Sequence, residues 1–357
     1  MKAHPIADLY ADYLLPSFGA TTATGLSELL EGEVSHDQGT RYLAGTKQTA
    51  AALWQTVKPL VRAIQTEAGV LIIDDSIAEK PYTDENDILC WHSDHSKDRR
   101  LQGINVLTAL YRSQGVNVPV GFHLVAKTEQ YSAPKTQKQQ RRSPVSKKAV
   151  CQEQIKQAVT TLLSFRFVLF DVWCASAATL VCIKQQHKRD FLCPLKPNRT
   201  VALSRADKQQ GRYGRVDTLA LAAQATREIY LEGVACPLVL VTQVFTHEDG
   251  SIGMRSLVSR DTTLSFDALT TIYHERWEVA CYHKSRKQHV SLAKSPTQTV
   301  TTPTNHFFAA LCGFIKLERL KMSTKLNHVA LKSKLYLNAL RSAFATLRTL
   351  TPAQGSA

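Results

Sequence analysis

Apolar and polar positions change their rhythm along the chain, and the changes divide it into blocks. From the N-terminus to about residue 66, apolar side chains recur at the spacing of helices. Within that block, TGLSELLEGEVSHDQGTRYLAG (Thr24–Gly45) has the outline of helix, short turn, helix, with Ser35 or Asp37 as the N-cap candidate of the second. This is the outline of a helix-turn-helix, and small helical bundles produce it too. From Gly69 the runs become short, continuous and β-branched. GVLIIDDSI (Gly69–Ile77), GINVLTALY (Gly103–Tyr111), VPVGFHLVA (Val118–Ala126) and FRFVLFDVW (Phe165–Trp173) predict four strands of one sheet.

Between the third and fourth strands, Ser132–Lys148 is polar and reads as a loop leading into a helix near Val150–Ser164. From about Ile183 to Asp267 the pattern turns to short alternating runs, namely DFLCPLK, TVALS, REIYLEG, CPLVLVTQVF and IGMRSLVS. These predict a β-rich insertion rather than a continuation of the α/β core. Helices resume near Ser265 and run nearly to Arg348, followed by a frayed tail, TPAQGSA. The expected organisation is a helical N-terminal DNA-binding domain at 1–66, the first part of an α/β core at 67–182, the insertion at 183–267, the second part of the core at 268–320 and a C-terminal helical region at 321–357.

Composition changes this picture in one respect. The 357 residues are 44% hydrophobic and 21% charged, ordinary values for a globular chain, but the formal net charge is +14. Such a surplus attracts polyanions, nucleic acid before anionic membrane. No run of about 18 apolar residues occurs, so no membrane partner is expected. The opening MKAHPIADLYADYLL carries acids inside its apolar stretch, unlike a signal peptide. Eight cysteines are scattered along the chain, several inside apolar runs, as expected of reduced, mostly buried thiols in a cytosolic protein. Cys90-Trp-His92-Ser-Asp-His95 comes closest to a metal motif, yet no second cluster completes it as a zinc site.

Candidate chemistry gathers at two strand exits. Asp74 follows VLII and Asp171 follows RFVLF. A carboxylate directly after a buried run is costly unless it is paired or bound to a metal, and two such residues suggest a shared divalent cation. Helix capping is the plainer alternative, and Asp75 competes with Asp74 because alternation lets only one of them face a site. The stretch Ser132–Lys148 holds Lys135, Lys138, Arg141, Arg142, Lys147 and Lys148 without a single acid, which suits phosphate contact. Tyr273–Gln288 (YHERWEVACYHKSRKQ) reads as one helix. At about 100° per residue, Tyr273, Arg276, Ala280 and Lys287 fall within an arc of roughly 60°, with Trp277 and Lys284 beside them. Such a face suits phosphate oxygens.

These stretches resemble a known family. The helix is similar to the Y-(2)-R-(3)-E-(6)-K signature of insertion-sequence DDE transposases, the hairpin-forming cut-and-paste type, with Tyr273, Arg276 and Lys287 on the Y, R and K positions. VLIIDDS resembles the strand of the first aspartate and selects Asp74, with Ser76 two residues later; VLFDVWCASA resembles that of the second and selects Asp171. DDSIAEKPYTDENDILCWHSDHSK also looks like a transposase segment, and the resemblance covers roughly residues 20–320. It implies an RNase H-like core with a β-rich insertion and two Mg²⁺ ions, for which Mn²⁺ can substitute, held by three carboxylates including Asp74 and Asp171. It further implies double-stranded DNA as partner, both transposon terminal repeats and target, a homodimer on paired ends, and a place in the bacterial cytosol at the nucleoid. Cleavage, hairpin formation and strand transfer would follow, with the Y, R and K side chains gripping phosphates near a flipped base.

One position departs from the signature. Residue 280 should be the third carboxylate and is alanine. On a continuous helix Glu278 points roughly 160° away from it, and Glu275 is similarly misplaced. The chain is therefore expected to be impaired in phosphoryl transfer. Its alternative role is that of a catalytically inactive, domesticated DNA-binding or regulatory protein on the same scaffold.

Overall fold

The structure is a computed structural model that describes residues 5–17, 19–94, 99–132, 139–219, 224–246, 249–290 and 299–350. The chain opens on helices α1 (Pro5–Leu14), α2 (Ala23–Leu29), α3 (His36–Ala44) and α4 (Ala50–Ile64). There follow β1 (Val70–Glu79), β2 (Leu89–Asp94), β3 (Arg99–Ser113) and β4 (Val116–Leu124), then a hairpin of β5 (Glu129–Ser132) and β6 (Gln139–Arg142). Next come α5 (Lys147–Thr160), β7 (Phe167–Phe170), α6 (Ala177–Val181), β8 (Asp190–Leu195), β9 (Thr200–Ala202), α7 (Arg205–Gln209) and β10 (Gly214–Arg215). The last elements are β11 (Thr226–Leu231), β12 (Leu238–Thr246), β13 (Ile252–Ser259), α8 (Phe266–His274), α9 (Trp277–His289), α10 (Thr301–Thr324) and α11 (His328–Leu350). Two compact units result: residues 1–49 with 283–357, and residues 50–282.

In the first unit, α1 and α3 pack on α10, whose Phe307, Leu311 and Phe314 are buried together with Tyr10, Leu14 and Leu43. Polar ties fix the arrangement where apolar packing alone would let helices slide. The Tyr10 hydroxyl and His306 Nδ1 are 2.9 Å apart. Asn305 accepts from the Gln48 amide at 2.8 Å and donates to the Leu43 carbonyl at 3.0 Å. Between α2 and α3, Ser35 is the N-cap: its hydroxyl accepts from the Gln38 amide while Gln38 reaches back to the Ser35 amide, a complete capping box.

In the second unit the strands build one mixed sheet in the order β10-β9-β11-β12-β13-β8-β7-β1-β3, with β2 and β4 occupying successive lengths of the far edge of β3. β1, β7 and β8 run parallel, and β3 is antiparallel to β1. The four residues of β7 are all buried, as are Val70–Ile73 of β1, which is why both read as continuous apolar runs rather than alternating ones. α4 covers β4, and α5 lies against β3 and β4. The strands of 183–267 extend the same sheet, because β13 pairs with β8 and β8 with β7.

Two local expectations are corrected. Part of the polar stretch Ser132–Lys148 is not a loop: Gln139–Arg142 pairs with Glu129–Ser132 as a hairpin, and the helix begins at Lys147. Tyr273–Gln288 is not one helix either. α8 ends at His274 and α9 begins at Trp277, joined by a tight turn in which the amides of Glu275, Arg276, Glu278 and Val279 bond carbonyls three residues back.

Candidate functional site

Asp74 and Asp171 owe their positions to the parallel pairing of β1 with β7. Ile73 and Phe170 are register partners, so the two aspartates take the next level on neighbouring strands. Side chains at one level of adjacent strands point to the same face. β7 stops at Phe170, while β1 continues to Glu79 paired only with β3. The carboxylates thus stand where the sheet opens beyond the ends of its parallel strands, the place where α/β sheets expose functional groups.

The turn between α8 and α9 brings Tyr273 and Arg276 to this opening. Arg276 Nη1 lies 3.9 Å from Asp74 Oδ2, and its Cζ is 5.5 Å from the Tyr273 ring centroid. Burial opposes the charge on Arg276, but Tyr273, Asp171 and Asp74 outweigh it and hold the guanidinium above the ordinary arginine range. The Tyr273 phenol is pushed well above the usual range, by burial first, with Asp171 and Cys193 adding to it against Arg276 and Arg255. Tyr273 is therefore a neutral O–H donor at every physiological pH. Arg255, on β13, was not singled out in the sequence; its Cζ is 5.9 Å from the Tyr273 centroid and 5.4 Å from that of Phe245. Its signal was a lone cation inside a strand-like run.

Asp75 turns to the other face, as alternation requires. It accepts hydrogen bonds from Asn105 at 2.9 Å and from Lys147. Of the other basic residues expected to contact phosphate, Arg141 pairs with Asp87 at 3.1 Å and Arg142 with Glu129 at 2.8 Å, and Lys148 is exposed. Lys135 and Lys138 lie outside the described residues. Trp277 is 57% exposed at the start of α9. Lys284 and Lys287, further along α9, belong to the first unit and are exposed.

Ala280 is exposed, and both nearby glutamates are engaged by other side chains. Glu275 pairs with Arg112, while Glu278 lies 3.3 Å from Arg112 and accepts from Asn117 at 2.9 Å. Arg112 is the register partner of Val70, four positions before Asp74, or roughly 13 Å along the strand at about 3.3 Å per residue. With the helix broken between α8 and α9, Arg112 and Asn117 decide where Glu275 and Glu278 point.

Among the described residues no group of three or more His, Cys, Asp or Glu side chains is arranged to hold a metal ion. The donor set at the opening is a pair of carboxylates, hard oxygen ligands of the kind that fit a divalent cation, which would need further ligands from elsewhere. Cys90 Sγ and His92 Nε2 are 3.7 Å apart on the inner side of β2, and His95 lies outside the described residues. The sequence profile of the DDE superfamily endonucleases matches residues 2–226. A comparison with curated proteins finds no match.

Proposed function

The chain belongs to the DDE superfamily endonucleases, and from that premise we propose that it is a transposase-type protein that binds the DNA ends of a mobile element. The observation that carries the proposal is the level pair Asp74 and Asp171 on β1 and β7, with Arg276 against it. The strand order β4-β3-β1-β7-β8, an antiparallel meander followed by two strands parallel to the first, supports an RNase H-like core interrupted by an insertion after β8. A divalent cation, Mg²⁺ first, would be held by Asp74 and Asp171 and, when bound, supplies charge stabilisation at phosphate oxygens and a more acidic water.

The chain's own residues provide the rest. Arg276 offers a fork of N–H donors to a phosphate, and Tyr273 a neutral donor in a water-poor setting. Trp277 presents an exposed ring for an unstacked base, and Lys284 and Lys287 contact the backbone as point charges. The helix–turn–helix of α2 and α3 contributes to end recognition. α11 carries exposed Leu337, Leu340, Phe344 and Leu347 at alternating spacings of three and four residues, a stripe that supports pairing of two copies. Cleavage, hairpin formation and strand transfer are the reactions of this scaffold when its third carboxylate is present.

In this chain that position offers a methyl group. The second reading, an inactive DNA-binding or regulatory protein on the same scaffold, is favoured by Ala280 together with the engagement of Glu275 and Glu278 by Arg112. Restoring the carboxylate separates the two. The unaltered chain should bind DNA carrying the source element's terminal repeat without cutting it, while Ala280→Glu gains Mg²⁺-dependent cleavage by at least about 100-fold, the upper end of what losing a mere outer-shell partner of a ligand costs. Asp171→Asn in the restored protein should abolish cutting and leave binding intact. Equal cutting by the unaltered and restored chains would refute the placement of the site.

A further inference from the structure

The second unit has another cleft on the same sheet, where β2 and β3 meet the β5–β6 hairpin. It encloses about 400 Å³ and is lined among others by Trp91, Arg100, Lys127, Tyr131, Gln140 and Arg141. That volume falls in the range of small-ligand sites, roughly 300–1,000 Å³. Alternation along β2 creates its floor: Cys90 and His92 turn inward, while Trp91 and Ser93 turn outward. Trp91 is 44% exposed, and its carbonyl accepts from Lys127 Nζ at 2.5 Å. The Tyr131 hydroxyl donates to Gln140 at 2.9 Å, and Arg142 lies over its ring at 5.6 Å.

Three cations, Arg100, Lys127 and Arg141, line the cleft with one acid, Glu85, and Arg141 is already paired with Asp87 at 3.1 Å, which leaves Arg100 and Lys127 for an anion. Burial holds Lys127 below the ordinary lysine range, and the charges of Lys147 and Arg100 press in the same direction. An anion seated among them would relieve that crowding. Two aromatic rings beside clustered cations suit a base joined to its phosphate better than a carboxylate ligand, which has no ring to stack. The position also fits a strand leaving the carboxylate pair. Asp74 is the partner of Thr108 and Trp91 of Gln102, six positions apart on β3, and that is roughly 20 Å at about 3.3 Å per residue. A nucleic-acid strand covers this in about six steps of 3.4 Å.

We propose that this cleft is a nucleotide-binding site, taking one base of a DNA strand against Trp91 and Tyr131 and its phosphate between Arg100 and Lys127. The proposal rests on the reading of the chain as a DNA-binding protein and adds a contact remote from the carboxylates. It is tested by fluorescence anisotropy with labelled single-stranded oligothymidylate and the full chain. Trp91→Leu and Arg100→Gln each alter an exposed side chain, and circular dichroism verifies their folds. Each should weaken binding by roughly tenfold, the size of one lost stacking or charge contact. Arg100→Gln should also make the salt dependence shallower by about one in log–log slope. Unchanged affinity in both variants overturns the site while leaving DNA binding by the chain intact. Saturation-transfer NMR with thymidine monophosphate tests the cleft without DNA: base-proton signals present in the parent and lost in Trp91→Leu support the site even if the chain binds no DNA. Signals that persist in that variant, or are missing from the parent, overturn it.

Discussion

Arg286 is a cation held in the core of the first unit. It is fully buried, its Nη2 lies 2.6 Å from His283 Nδ1, and its Cζ is 5.1 Å from the ring centroid of Phe307. Desolvating a guanidinium costs several kcal/mol, so its burial is tolerated only where neighbours meet its N–H groups and cover its face. Arg286→Leu removes the contact to His283 and should lower stability by about 1–3 kcal/mol, a fall of a few degrees in the unfolding midpoint measured by scanning calorimetry. A raised midpoint would show instead that the desolvation cost outweighs those contacts. Ala280 makes the complementary case at the same scale. A side chain is missing where its absence costs the fold little, since the position is exposed, and where it costs the proposed chemistry a ligand.

Strand β2 illustrates how an element sets the chemistry of its residues. His92 sits on its inner side, 6% exposed, and burial, followed by the charges of Lys127 and Lys147, lowers its pKa to about 3. The folded state keeps the ring neutral while an unfolded chain protonates it near pH 6.5. The depressed folded value means nothing is lost above that pH; stability falls as pH drops from about 6.5 towards 3. At pH 5 the loss is about 2 kcal/mol, so His92→Gln should flatten the acid limb of a denaturant-unfolding series by that amount. Identical limbs in parent and variant would refute it. The turn between α8 and α9 is the other element-level device. It takes Tyr273 and Arg276 to the carboxylates and gives Glu275 and Glu278 to Arg112, a division that one straight helix would not make.

At the scale of the molecule, the net charge of +14 is the leading property. Several of the cations expected to contact phosphate are occupied: Arg141, Arg142 and Lys147 each pair with an acid of the second unit. Exposed Lys148 and Lys284 are better placed to neutralise phosphates. DNA affinity should fall steeply with salt, and the log–log slope should drop by about one for Lys148→Gln but hardly change for Arg142→Gln, whose side chain already has a counter-ion. Equal slopes for both variants, measured by anisotropy titration, would show that the ion pairs do not set availability.

Much of this molecule is written locally. The apolar runs that became β1, β3, β4 and β7, the carboxylates at two of their exits and the cap at Ser35 follow from side-chain size, branching and hydrogen-bonding groups within a few residues of one another. The polar positions of the β5–β6 hairpin gave no apolar alternation to read, so its strands stayed hidden. What the sequence could not hold is anything set by partners far along the chain. The level of Asp74 with Asp171 depends on two strands about a hundred residues apart pairing in one register, and the direction of Glu275 and Glu278 depends on Arg112 and Asn117. The union of the 183–267 strands with the core sheet depends on the pairing of β8 with β7, and the burial of Arg286 on where α10 packs. Periodicity reports which face of an element seeks cover; only the folded chain decides what covers it.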